Sequence, residues 1–126
     1  MKTISTPNAP TPAGHYSQAI VYGGVVYVAG MLGIGPQNPD ADPGGAGDQT
    51  RRALANVQAV LATAGSDLSH TVRMTVFVSG HDLWPEVNAA YAEVMGDHRP
   101  ARAIVPVQSF RAPFLVEIVA TAALGG

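Results

Sequence analysis

Only two segments of this chain have the residue spacing of an α-helix, and segments with a strand pattern surround both. Residues 48–64 and residues 82–95 carry apolar side chains at helical spacing, and the helices are predicted to stop at Gly65 and Gly96. Two helices can cover one face of a sheet but not both faces. The sequence therefore predicts an α+β fold of two layers, with both helices on the same side of the sheet.

Five segments have the composition or the alternation of β-strands. They are residues 18–22, 25–29, 72–78, 103–109 and 114–124. The first two flank Gly23-Gly24 and are predicted to form a hairpin. Pro106 predicts an edge position or a bulge for the fourth strand. The element order is then ββαβαββ, in a single domain that spans residues 1–126.

The third strand indicates what each face of the sheet contacts. Alternation predicts a face against the helices made by Val72, Met74, Val76 and Val78. The residues left on the opposite face are Arg73, Thr75 and Phe77. Such a face is neither an ordinary core nor an ordinary wet surface, and only 13% of the chain is charged, against roughly 25% in typical soluble domains. Both observations predict that other copies of the chain cover this face.

Charge and composition exclude several classes of function. The net charge is −2 and the seven Lys and Arg residues are scattered, which disfavours nucleic-acid binding. The chain has no Cys, and its four His residues lack metal-ligand spacing, so neither thiolate chemistry nor a metal site is expected. The N-terminus lacks the apolar core of a signal peptide, and no apolar run is long enough to span a membrane. A cytoplasmic enzyme or binding protein is predicted.

Arg102 and Glu117 are the first candidates for chemistry. Arg102 follows a proline at the start of a predicted strand, and Glu117 is the only charge in residues 114–124, the most apolar strand. The pattern alone favours a structural interpretation, in which the two side chains form a buried ion pair or Glu117 lies on a solvated edge. Alternatively, the planar fork of Arg102 is free to hold a ligand carboxylate and Glu117 binds a water or the substrate nitrogen.

Two further side chains have a structural and a functional interpretation. Tyr16 precedes the first predicted strand, where a tyrosine usually packs and bonds a backbone group. As a functional residue it would instead close one wall of a pocket. Asn88 lies in the second helix on the side of Trp84 and Tyr91, and by default would bond a neighbouring loop.

Several short motifs, in order and over nearly the whole length, resemble the Rid family, also called the YjgF or L-PSP endoribonuclease family. The most specific is Pro100-Ala101-Arg102, followed by the strand at residues 115–118. The supporting motifs are Gly14-His15-Tyr16, residues 28–30, residues 75–78 and residues 87–91.

The resemblance implies a chorismate-mutase-like fold, a barrel-like homotrimer and clefts between subunits. It also implies hydrolysis of reactive enamines and imines of the 2-aminoacrylate type to 2-keto acids and ammonia, without a metal or organic cofactor. The arginine that matches Arg102 would bind the substrate carboxylate, and the glutamate that matches Glu117 would orient water. Tyr16 would line the cleft from the neighbouring subunit, and Asn88 would lie near it.

The chain also departs from the pattern of many deaminase members. They carry Ser-Gly-Gln where this chain has Ala29-Gly30-Met31, a cysteine where it has Ile104, and proline where it has His15. Gly30, Met31, Asn88 and Ile104 are the predicted substrate-binding positions beside Arg102, Glu117 and Tyr16. The bulkier residues favour a larger or more apolar substrate. The alternatives are a small-molecule carboxylate-binding protein, a natural-product tailoring enzyme that uses the same inter-subunit cleft and, less favoured, an endoribonuclease.

Overall fold

The apolar spacing of the two helical segments places them side by side on one face of the sheet. In this computed structural model, which describes residues 1–125, helix α1 spans Ala46–Ala64 and helix α2 spans Trp84–Met95. Helix α1 begins two residues before Asp48, the predicted first residue, and the Asp48 carboxylate accepts a hydrogen bond from the N–H of Gly45. The predicted stop at Gly65 is confirmed, since this glycine has the left-handed conformation with φ of 87°.

All five predicted strands form, and a sixth precedes them. The strands are β1 Lys2–Ile4, β2 Ala19–Tyr22, β3 Val25–Leu32, β4 Thr71–Val78, β5 Ala101–Pro106 and β6 Val116–Ala123. Their order across the sheet is β1-β2-β3-β6-β4-β5. Strand β1 was missed because three residues at an edge carry no usable alternation. The α+β fold with two helices on one face is confirmed.

Strand β5 lies at the edge of the sheet and supplies Arg102. It pairs only with β4, in the parallel direction, whereas the other strand pairs are antiparallel. Pro106 ends β5, which confirms its predicted edge position, because proline has no N–H to donate to a further strand. The edge leaves one side of β5 open along its length.

The core fills the space between the helices and the sheet. It includes Met74, Val76 and Val78 of β4, as predicted, together with the apolar stripe of α1. Val72 is the exception, because its side chain is 53% exposed. A shift of register between Thr71 and Arg73 interrupts the alternation, and Thr71 takes the buried position instead.

The opposite face of the sheet remains without a layer of its own. Phe77 and Thr75 of β4 are half-buried there, and Tyr27 is half exposed. Coverage of this face by other copies of the chain stays a prediction. Within residues 1–125, no helix combines the length and the apolar character needed to cross a bilayer.

Candidate active site

Arg102 lies on the helix side of strand β5. Its register partner on β4 is Met74, a core residue, and partnered residues of parallel strands point to the same face. The guanidinium carbon lies 4.7 Å from the centre of the Tyr91 ring, which projects from α2. Among the described residues Arg102 forms no salt bridge, and its side chain is exposed. The structure therefore does not contain the ion pair that the sequence pattern favoured.

A cavity of about 300 Å³ opens beside this guanidinium, between α2 and the start of β5. Its lining residues are Asn88, Tyr91, Ala92, Met95, Gly96, His98, Arg99, Pro100 and Arg102. The structure thus brings together Asn88 and Arg102, two of the predicted site residues. His98 is fixed at the rim, because its Nε2 donates a hydrogen bond of 2.8 Å to the carbonyl of Thr71.

Glu117 lies on the other face of the sheet. It is half-buried in β6, with Leu32 of β3 and Phe77 of β4 as its register partners. The buried residues of β6 alternate with it, as strict alternation predicted. Within residues 1–125 its carboxylate has no salt-bridge partner. The acid is therefore available to a water or a ligand on that face.

Gly30 provides the space that the Glu117 carboxylate occupies. A register shift between Val28 and Met31 marks a bulge in β3 at this point. A Cβ atom on Gly30 would lie 2.8 Å from Cδ and 2.9 Å from Oε2 of Glu117. Any larger residue at this position must displace the carboxylate, so the conformation of Glu117 depends on this glycine.

Because the resemblance assigns the orientation of the attacking water to Glu117, replacing Gly30 by alanine is expected to reduce turnover by about tenfold through loss of that orientation. The KM for a carboxylate substrate should change little, since the substitution displaces the Glu117 carboxylate and leaves the guanidinium of Arg102 in place. Steady-state kinetics on an imine, the substrate class that the resemblance implies, give both constants. Gly24→Ala is not a suitable control because its φ is positive; Gly35→Ala is suitable, since its added Cβ would make only ordinary contacts of 3.7 and 3.8 Å. Full turnover by Gly30→Ala would contradict the dependence of Glu117 on Gly30.

Met31 is not on the face that carries Glu117. The bulge turns its side chain toward the helices, where it is 4% exposed and pairs in register with Ile118. The prediction that Met31 contacts substrate is therefore wrong, because the Met31 side chain lies in the core. Leu32, which the sequence analysis did not single out, takes the position beside Glu117.

The two remaining predicted positions, Ile104 and Tyr16, do not line the cavity beside Arg102. Ile104 is half-buried on the helix side of β5, opposite Val76. Tyr16 is 52% exposed in the segment before β2, and its hydroxyl accepts a long hydrogen bond of 3.3 Å from the N–H of Ala13. Their proposed contacts with substrate stay predictions.

Arg102 and Glu117 of one chain cannot share a small substrate. They lie on opposite faces of the sheet, on the two strands that flank β4. Their partners on β4 are Met74 and Phe77, three residues apart. Three residue rises and two strand spacings separate their backbones by roughly 14 Å. A site that uses both residues must take them from two copies of the chain.

A larger cavity, of about 740 Å³, lies elsewhere on the molecule. It is formed by residues 10–13, the loop at 34–43 and the segment at 111–114, and none of the predicted site residues lines it. Size alone therefore does not identify the site, and the smaller cavity beside Arg102 carries the candidate chemistry. Among the described residues, no group of three or more His, Asp and Glu side chains could hold a metal ion.

Comparison with known proteins identifies the family to which this chain belongs. The sequence profile described as Endoribonuclease L-PSP matches residues 6–124. A RutC family protein of Pyrococcus horikoshii is 38% identical over 121 residues, covering 96% of this chain and 96% of that protein. A Bos taurus protein named 2-iminobutanoate/2-iminopropanoate deaminase is 35% identical over 124 residues, covering 98% of this chain and 90% of that one.

Solved structures agree with these sequences. RidA of an Antarctic Psychrobacter superposes with a TM-score of 0.92 at 29% identity, covering 98% of this chain and 100% of that one. Escherichia coli TdcF, solved with bound serine, has a TM-score of 0.92 at 30% identity, covering 99% of this chain and 100% of that one. The chain belongs to the Rid family, in which both deaminase and endoribonuclease names occur.

Proposed function

We propose that this protein hydrolyses 2-imino acids, and the enamines from which they form, to 2-keto acids and ammonia. The observation that carries the proposal is the guanidinium of Arg102, which lines a cavity with Asn88 and has no acidic partner among the described residues. Relatives of about one-third identity that bear the name 2-iminobutanoate/2-iminopropanoate deaminase support this class of reaction.

Arg102 is suited to the carboxylate of such a substrate. A guanidinium holds a carboxylate through two parallel charge-assisted hydrogen bonds, which fix both position and orientation. The cavity of about 300 Å³ is of the size that suits a small metabolite. Binding at this point would leave the adjacent imine carbon in a defined place, so that a water can be aimed at it.

Glu117 is the proposed acid–base group. It takes a proton from water while the oxygen bonds to the imine carbon, and the electron pair of the C=N bond moves to nitrogen, which receives that proton. The hydroxyl proton of the resulting carbinolamine then passes to nitrogen by the same carboxylate, the C–N bond breaks, and ammonia leaves as the carbonyl forms. Acid–base help of this kind typically contributes about a hundred- to ten-thousandfold.

The site is proposed to lie between two copies of the chain. Arg102, Asn88 and the α2–β5 cavity come from one copy, while Glu117 and Gly30 come from the sheet face of the next. The uncovered face around Phe77 supports such an arrangement, because apolar surface of this kind marks a contact. A ring of three, with Tyr16 closing the cleft from a neighbouring subunit, remains the proposed assembly.

The activity can be tested by generating the unstable substrate in place. An L-amino-acid oxidase releases a 2-imino acid, which water hydrolyses slowly. A reagent such as semicarbazide captures the imino acid that has not yet been hydrolysed, as a semicarbazone. The protein should accelerate formation of keto acid and ammonia and lower the yield of semicarbazone. If the yield is unchanged while a carboxylate ligand still binds, the protein is a binding protein, the alternative that the serine-bound TdcF structure favours. If salt-sensitive RNA cleavage appears instead, the result supports the endoribonuclease alternative.

A further inference from the structure

Tyr91 lines the candidate site, although the sequence analysis named it only as a neighbour of Asn88 on the second helix. Its side chain is 6% exposed, and its ring lies directly against the guanidinium of Arg102, with 4.7 Å between the guanidinium carbon and the ring centre. The same ring forms part of the wall of the cavity that Asn88 lines. A stacked arginine on a buried aromatic is an ordered cation, whereas an arginine side chain in water samples many rotamers.

The way the guanidinium is held determines what it can still bind. A guanidinium has two faces and a planar edge that carries its N–H donors. Contact with an aromatic ring uses a face, and an ion pair with a carboxylate uses the edge. The guanidinium carbon of Arg102 lies over the Tyr91 ring, and the side chain forms no salt bridge among residues 1–125, so no acidic group occupies its N–H donors and they are left for an external carboxylate.

The Tyr91 hydroxyl takes no part in this arrangement. It is buried, and in the part of the chain described by the structure it has no hydrogen-bond partner. Burial raises the pKa of Tyr91 while the charge of Arg102 lowers it, and the net effect is a raised pKa, so the side chain is a neutral phenol. What the site uses is therefore the ring, and a phenylalanine would supply the same face without the unpaired hydroxyl.

We propose that Tyr91 is a positioning residue that holds Arg102 through its ring, so that the in-plane donors of the guanidinium meet the substrate carboxylate. The inference rests on the proposed function, because it names the support for the carboxylate clamp of that site. It predicts that removing the ring weakens carboxylate binding even where the protein stays folded, and that removing only the hydroxyl does not.

Three variants separate these effects. Tyr91→Phe should keep the parent KM for an imino acid within about twofold and should unfold at the same or a higher temperature. Tyr91→Leu should raise KM by about fivefold with a smaller change in kcat, because the cation loses its aromatic partner. Fluorinated phenylalanines at position 91 keep the shape but weaken the negative face of the ring, so KM should rise stepwise with fluorine content even if Tyr91→Leu does not fold.

A double-mutant cycle distinguishes positioning from general support of the fold. In a protein that already carries Arg102→Ala, adding Tyr91→Leu should have no further effect on KM, since no cation remains to be positioned. If Arg102→Ala leaves KM unchanged, the proposed function itself fails. If Arg102→Ala raises KM but neither Tyr91→Leu nor the fluorinated series does so, only the role of Tyr91 is overturned.

Discussion

Glu117→Gln should lower kcat for imine hydrolysis by about 1,000-fold, within the range that acid–base catalysis contributes, and leave KM nearly unchanged. Glutamine has almost the same shape and can still hydrogen-bond a water, but it cannot accept the proton that the water loses. The substitution should not unfold the chain, because the half-buried carboxylate has no salt bridge within the described residues. Steady-state kinetics with oxidase-generated imine measure both constants.

A matched control for this variant is Glu93→Gln. Glu93 accepts a hydrogen bond of 2.8 Å from Arg51 on the exposed surface between the helices, and neither residue lines the cavity beside Arg102. Its replacement should leave kcat and KM at parent values. Turnover that survives in Glu117→Gln would remove this acid from the mechanism.

Arg102→Ala should lower kcat/KM for a 2-imino acid by about 100-fold, mainly through KM, because hydrogen bonds to a charged group contribute about 1.5–3 kcal/mol. The side chain is exposed, so its loss leaves no cavity in the core. Arg102→Lys keeps the charge but not the planar fork, and should recover only part of the affinity. An imine substrate with an uncharged amide in place of the carboxylate should not distinguish parent from variant.

Arg111 offers a control of the same chemistry. Its guanidinium also lies over an aromatic ring, at 5.7 Å from the centre of Phe114, but it lines the larger cavity rather than the one beside Arg102. Arg111→Ala should therefore leave kcat/KM unchanged. Equal losses in the two variants would mean that carboxylate binding is not specific to the α2–β5 cavity.

The spacing of apolar residues predicted much of the fold, because burial of one face imposes a regular spacing on helices and strands. The strand at β4 and the helix at α1 were predicted within two residues. Periodicity failed where the backbone departs from regularity. Val72 was misplaced because a bulge in β4 shifts the register, and a one-residue shift exchanges the two faces of a strand. Met31 was assigned from the resemblance rather than from periodicity, and the bulge in β3 turns its side chain into the core.

The candidate site was predictable as a set of residues but not as an arrangement. Arg102 and Glu117 were identified as unusual charges near strands, and Asn88 as a polar residue of the second helix that the resemblance places near the cleft. No local pattern, however, shows that strands β5 and β6 flank β4 and present these two side chains to opposite faces. Tyr91 was overlooked as a site residue because a buried aromatic at helical spacing looks the same whether it packs on a core or under a cation.

Mixed oligomers of two inactive variants measure most directly whether the site is shared. Arg102→Ala and Glu117→Gln chains are unfolded together, refolded as a mixture and assayed for imine hydrolysis. If one copy supplies the arginine and the next supplies the acid, random assembly of equal amounts restores about a quarter of the parent activity, since about one interface in four joins two intact residues. Activity no higher than that of either variant alone would contradict a site built from two copies of the chain.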